Sequence, residues 1–322
     1  MGALVVQSEK VNSYNPKPDI LTAGPIKLEF HISKTANLFH MVDQISQWVY
    51  FCHKQYQDYF SPLSLEDKQI LKKHSEVRKK YGWGGGLEKT FYTDLDLDTA
   101  LERAVQSKVL DQDSAEIEKQ VLRHFESRAT ALFELELPRI KAFRNDLNSR
   151  VHELEVFGSR VARFSGTTQI TIPVYLIANP SEYNSGGGFN GGRLTLEVPR
   201  ISDAWPLVIH EITHAFLEPK KPLLKETVKQ AIDLDTETLS EGLVYSVPSL
   251  FEEPACFELK EQVAKDFKEE KLFTDPYVRF NRFGLALRPL LKEAWDNGLT
   301  LEQILPRALD VWRAIKEISP NY

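Results

Sequence analysis

The sequence predicts an α+β fold that is predominantly α-helical, and three observations carry that expectation. Apolar residues recur at spacings of three and four through most of 35–164 and again through the C-terminal third of the chain, which is the period of amphipathic helices. Strand-like segments are few and short: Ile26–Ile32, Thr168–Ala178 and Arg193–Val198. At Gly166 the pattern switches from charged helix to strand and glycine-rich loop. That switch divides the chain into 1–165, an N-terminal arm with a short strand and a helical region, and 166–322, a second domain built on a small sheet.

Taken in order, residues 8–25 are polar and carry Pro16, Pro18 and Pro25, the composition of a coil. From Thr35 to about Tyr59, Leu38, Phe39, Val42, Ile45, Trp48, Val49, Cys52 and Tyr56 form one helical stripe, with His31, His40 and His53 near a core rather than at a site. Ser64 is placed to cap a helix running to Tyr81, which stops at Gly82-Trp83-Gly84-Gly85-Gly86. Further helices are expected over Asp96–Val109 and from Asp113 to about Leu137, where Pro138 should interrupt, with a continuation from Arg139 to about Phe164. His124 and His152 read as surface residues of these charged helices. A buried strand then spans Thr168–Ala178, followed by the glycine-rich stretch Asn179–Gly192 and by Arg193–Val198, which alternates like an edge strand. Ser202 or Asp203 can cap the next helix, ending at Leu217. A second such helix is expected within Asp233–Tyr245, and amphipathic segments follow near 257–270, 276–294 and 300–318.

Composition excludes several classes. The chain has 322 residues, 42% hydrophobic and 27% charged, with a net charge of −6. It therefore has no basic footprint for nucleic acid. No apolar run approaches the length of a membrane span, about 18 residues. The N-terminus lacks the basic start of a signal peptide, and Val6 breaks the myristoylation pattern. The expectation is a cytoplasmic protein, although an exported chain with its leader removed would look the same. Two cysteines, Cys52 and Cys256, form no framework and no metal knuckle.

The chemistry centres on His210-Glu211-Ile212-Thr213-His214, set in the apolar run 206–217. On a helix, His210 and His214 lie one turn apart on one face and can share a metal ion, while Glu211 stands beside it to take a proton from metal-bound water. A catalytic zinc site needs a third protein ligand and an open position. Leu217 and Lys220 break the metzincin continuation, and no histidine follows His214. The downstream candidates are Glu218, Glu226, Asp233, Asp235, Glu237 and Glu241. Glu218 is too close on the same helix, and Glu241 is favoured because Gly242 beside it lets the two site helices approach. Tyr277, Tyr245, Arg279 and Tyr183 are candidate donors to an oxyanion.

These residues resemble the gluzincin metallopeptidases, the thermolysin-like and aminopeptidase N-like enzymes. The likeness rests on His210-Glu211-x-x-His214 and on Ser240-Glu241-Gly242-Leu243-Val244, which is similar to their Asn-Glu-Gly-Phe-Ala segment. It covers about residues 168–250. The resemblance implies a zincin-like domain holding one zinc ion on His210, His214 and Glu241, with Glu211 as general base for hydrolysis of a peptide or protein substrate. It also implies that the edge strand, here Arg193, Leu194, Thr195 and Leu196, pairs with the substrate backbone. Two departures stand out. Tyr245 occupies the position where the thermolysin-like enzymes carry an aspartate that orients the first histidine, leaving Glu237 as a substitute partner. The aminopeptidases' Gly-x-Met-Glu-Asn segment is missing, so aminopeptidase specificity is not implied. The competing expectation is a catalytically silent zinc-binding scaffold whose helical half binds a protein.

Overall fold

A computed structural model describes residues 18–182, 186–199, 205–247 and 276–318. The chain is predominantly helical with one small five-stranded mixed sheet. No helix among the described residues is long and apolar enough to cross a membrane. Two compact units are present, one comprising Met1–Asp19 and Phe30–Glu134, the other Ile20–Glu29 and Leu135–Tyr322.

The first unit holds α1 (Lys34–Ser46), α2 (Lys54–Tyr59), α3 (Leu65–Tyr81), α4 (Gly86–Phe91), α5 (Leu97–Gln106) and the first part of α6 (Gln112–Ser149). The helix expected over Thr35–Tyr59 is broken. Gln47 adopts φ 50°, and its N–H and side-chain amide both turn back to the Gln44 carbonyl. The break frees Trp48 to lie against the Arg78 guanidinium, 4.4 Å from its ring. Ser64 caps α3 as expected, in a reciprocal capping box with Asp67.

Pro138 does not interrupt its helix, and α6 runs unbroken for 38 residues. An internal proline costs about 3 kcal/mol. Leu132, Phe133 and Ile140 around it are all buried, each worth about 1.5–3 kcal/mol, so burial outweighs the lost hydrogen bond. The break comes instead at Arg150, whose ψ of 16° separates α6 from α7 (Val151–Ser165).

The second unit carries the sheet, with β1 (Asp19–Ala23) and the end of β2 (Ile26–His31) crossing the division. β1 falls in the stretch expected to be coil. The remaining strands are β3 (Ile170–Ala178), β4 (Gly187–Asn190) and β5 (Arg193–Val198), in the order β1-β2-β3-β5-β4. Arg193–Val198 is therefore not an edge strand. It is parallel to β3 on one side, with Val174 opposite Leu194, and antiparallel to β4 on the other, with Asn190 opposite Arg193. Its polar alternation misleads because Thr195 and Glu197 are buried with the apolar residues, the Thr195 hydroxyl bonding to the Gly188 carbonyl. The edge is β4, from inside the glycine-rich stretch. Gly191 and Gly192 join β4 to β5 with φ of 59° and 78°, a two-residue turn with left-handed backbone at both positions, which glycine alone adopts without strain.

After the sheet come α8 (Trp205–Leu217), a 3₁₀ turn (Glu218–Lys220), α9 (Lys221–Val228), α10 (Thr236–Ser246), α11 (Pro276–Asn297) and α12 (Leu301–Ile318). Ser202, Asp203, Cys256 and the 257–270 segment lie outside the described residues.

Candidate metal centre

Helix α8 buries Val208, Ile209, Ile212, Ala215, Phe216 and Leu217. That burial fixes which way the helix turns, so His210 and His214 emerge together on the other face. Their ring centroids are 5.1 Å apart, edge to face. Asp235 caps α10 by accepting the Thr238 N–H at 2.6 Å, and α10 brings Glu241 across. Gly242 serves a different contact from the one expected: a Cβ there would sit 2.6 Å from the Phe283 ring, so the glycine admits α11. Ser246 Oγ shares its proton between the carbonyls of Gly242 and Gly284, at 2.6 and 2.5 Å, and this clamps α10 to α11.

Glu241 then faces both histidines. His214 Nε2 lies 3.3 Å from its Oε1 and His210 Nε2 lies 3.8 Å from its Oε2. One atom from each of the three residues falls within 4.8 Å of the others. The edge of a tetrahedron with zinc–ligand bonds of about 2.0–2.1 Å is about 3.3 Å; the His214–Glu241 pair matches it, the other spacings are longer, and the three groups together could hold a metal ion. The histidine side chains are 17% exposed and Glu241 22%. The group is therefore reachable from solvent, as a site with a free coordination position requires.

The electrostatics of the cluster are set by burial and by the attraction between His214 and Glu241. Burial, and then the neighbouring His214, push His210 down to about 4. Burial opposes charge on His214 as well, but the Glu241 carboxylate outweighs it and raises His214 to about 9. Glu241 is itself held below its ordinary value: burial acts upward, and attraction to His214 prevails. Glu211 is 5% exposed, and burial, reinforced by Glu241, lifts it to about 7. One of its oxygens accepts the Phe189 backbone N–H. The other, Oε2, is buried without a hydrogen-bond partner among the described residues. A buried carboxylate oxygen left in this state costs about 1–3 kcal/mol, and a cation or a water beside it removes that cost.

The remaining expected residues fall in different places. Gly187 of β4 packs directly on Glu211: a Cβ at Gly187 would lie 2.9 Å from the Thr195 carbonyl and 3.2 Å from Glu211 Cγ. Arg193, Leu194, Thr195 and Leu196 lie one strand further in, with both neighbouring strands paired to them. Glu237 is exposed one turn before Glu241 and makes no hydrogen bond to either histidine. Burial and the Glu241 charge raise its pKa. Tyr245 is the residue that touches His210, ring to ring at 4.8 Å. Arg279 is engaged with Asp235 at 3.3 Å. Glu218 and Glu226 pair with Lys221 and Lys229, each at 2.6 Å, and Asp233 pairs with Lys316. Tyr183 and the side chain of Tyr277 lie outside the described residues.

Sequence reasoning missed the Phe189 N–H and the strand that carries it. Four residues, two of them glycine, are too few for alternation to show; the only available signal was the glycine pair at 191–192. No protein-family model, curated protein or solved structure matches this chain.

Proposed function

We propose that this chain is a zinc-dependent peptide hydrolase whose 166–322 region is zincin-like, with His210, His214 and Glu241 holding the ion and Glu211 acting as general base. The observation that carries this reading is the convergence of three ligand atoms beside a buried carboxylate with an unpartnered oxygen. Zinc, when bound, supplies a Lewis acid that acidifies water and polarises a carbonyl. The protein's own groups do the rest. Glu211 Oε2 has a free acceptor position for the proton of the attacking water, and returning that proton to the departing amine completes hydrolysis. The Phe189 N–H holds the other oxygen, so the carboxylate stays oriented while it exchanges the proton. Before any ion is bound, burial raises Glu211 to about 7, within the range in which a general base works best. Strand β4 ends the sheet beside Glu211, and an extended peptide can add to such an edge through backbone hydrogen bonds. This gives β4 the role expected of Arg193–Leu196.

The test has two parts. Purified protein should carry or take up close to one equivalent of zinc and cleave members of a mixed peptide library. Glu211→Gln should keep the zinc and lose activity by about 10²–10⁴-fold, the usual contribution of a general base. Retained zinc with undiminished cleavage removes Glu211 from the mechanism. Retained zinc with no cleavage by either protein supports the silent zinc-binding scaffold instead.

A further inference from the structure

Tyr245 lies on α10 one turn after Glu241, with its ring 66° to that of His210 and the centroids 4.8 Å apart. A histidine that binds a metal is ordinarily aimed by a hydrogen bond to its second nitrogen, from a carboxylate or carbonyl. His210 makes no such bond among the described residues; its contacts there are His214, the Glu241 carboxylate at 3.8 Å, and Tyr245. The tyrosine is itself held in place. A Cβ on Gly284 would fall 2.9 Å from Tyr245 Cβ and 3.2 Å from the Gly242 carbonyl, so the α11 backbone stands directly behind it. The Ser246 hydroxyl, bridging Gly242 and Gly284, fixes that spacing.

We infer that Tyr245 is a positioning residue that aims the His210 lone pair at the metal by ring packing, in place of a charged hydrogen-bond partner. The inference rests on the metal-site reading above. An imidazole binds only along its lone pair, so a ring free to rotate about χ2 spends less time in the binding orientation. Because one helix carries both Glu241 and Tyr245, any movement of α10 against α8 shifts the third ligand and the support of the first together. The packing contact needs the ring but not the hydroxyl.

The test uses full-length protein stripped of metal and read by zinc competition against a chromophoric chelator and by the visible spectrum after cobalt loading. Tyr245→Ala should weaken zinc binding by about 10–100-fold, the range for loss of a group that orients a ligand. It should also shift the cobalt bands, which report ligand geometry. Tyr245→Phe should retain wild-type affinity and spectrum. Tyr245→Leu fills the space without an aromatic ring and should behave like the alanine variant. It is the readout if Tyr245→Ala does not fold. Zinc affinity within twofold of wild type and an unchanged cobalt spectrum in the leucine or alanine variant overturn the inference while leaving the metal site standing. Loss of affinity in Tyr245→Phe moves the role from the ring to the hydroxyl and also overturns it. A wild-type protein that binds no zinc removes the metal-site reading and this inference with it.

Discussion

Two histidine–carboxylate clusters, one in each unit, the first fully buried and the second partly exposed, combine the same residue types differently. In the first unit His74 sits fully buried between Asp43 and Glu118, at 3.1 and 2.9 Å, and Arg78 reaches Asp43 at 2.7 Å and Glu88 at 2.8 Å. Three carboxylates meet two cations. Burial disfavours the imidazolium of His74, yet Glu118 and Asp43 prevail and raise it to about 9, so both ring nitrogens donate. In the second unit two histidines and two carboxylates meet, and among the described residues no arginine or lysine forms an ion pair with them. His210 is driven neutral, Glu211 is driven towards its neutral acid form, and one carboxylate oxygen is unpartnered. Buried carboxylates need a cation. Where the protein builds one in, as at Arg78, the cluster is structural. In the second cluster the charge on His214 answers Glu241, while Glu211 Oε2 has no partner among the described residues, and under the proposed function an exchangeable ion would complete it.

Removing the built-in cation should have the largest effect. Arg78→Ala leaves Asp43 and Glu88 buried without it, and is expected to lower unfolding free energy by about 3–5 kcal/mol, read by urea denaturation. A loss below 1 kcal/mol would show that the first cluster does not depend on arginine. Supplying the exchangeable cation to the second cluster should work the other way. Zinc at 100 times its Kd should stabilise the metal-free protein by about 2.7 kcal/mol. Glu241→Ala should remove most of that gain, and a milder variant of the first cluster, Arg78→Lys, should keep it. If Glu241→Ala retains the full gain, the third ligand lies elsewhere.

A smaller effect is expected where the edge strand meets Glu211. Gly187→Ala overpacks against Thr195 and Glu211, at a cost of about 1–3 kcal/mol. Its activity should fall by more than its stability loss accounts for, since the displaced group is the base. Equal losses of folded fraction and activity would separate β4 from the chemistry. The finest discrimination is by pH. The folded pKa of His74, about 9, lies above the value of about 6.5 for an unfolded histidine. Its contribution is therefore complete below pH 6.5 and fades as pH rises through 9. The denaturation midpoint of the metal-free protein should decline between pH 7 and pH 10, and less steeply in His74→Gln. Parallel declines in the two proteins would mean that His74 is not charged in the fold.

The second cluster was legible in the sequence and the first was not, for a physical reason. His210, Glu211 and His214 lie within one helical turn, so local periodicity alone puts them on one face. Glu241 could be chosen because it stands in a short glycine-bearing segment. Asp43, His74, Glu88 and Glu118 belong to four different helices with no common spacing. His74 sits among lysines and a glutamate in α3, neighbours that carry no signal of burial. His124, expected at the surface, pairs with Asp67 at 2.7 Å for the same reason: its partner is 57 residues away. Pro138 shows the converse, a strong local signal overruled by the burial of its neighbours.

By itself the sequence determined the helical character of the chain, the apolar face of α8, the pairing of His210 with His214 and the capped start of α3, because each depends on residues within a turn or two. Tertiary structure alone decided that Gly187–Asn190, not Arg193–Val198, is the outer strand, since strand order depends on what lies on either side of a strand. It also decided that Gly242 receives Phe283 and that the Tyr245 ring lies against His210. The first follows from the packing of α11 on α10 and the second from that of α10 on α8, and no spacing along one chain segment encodes a contact between two.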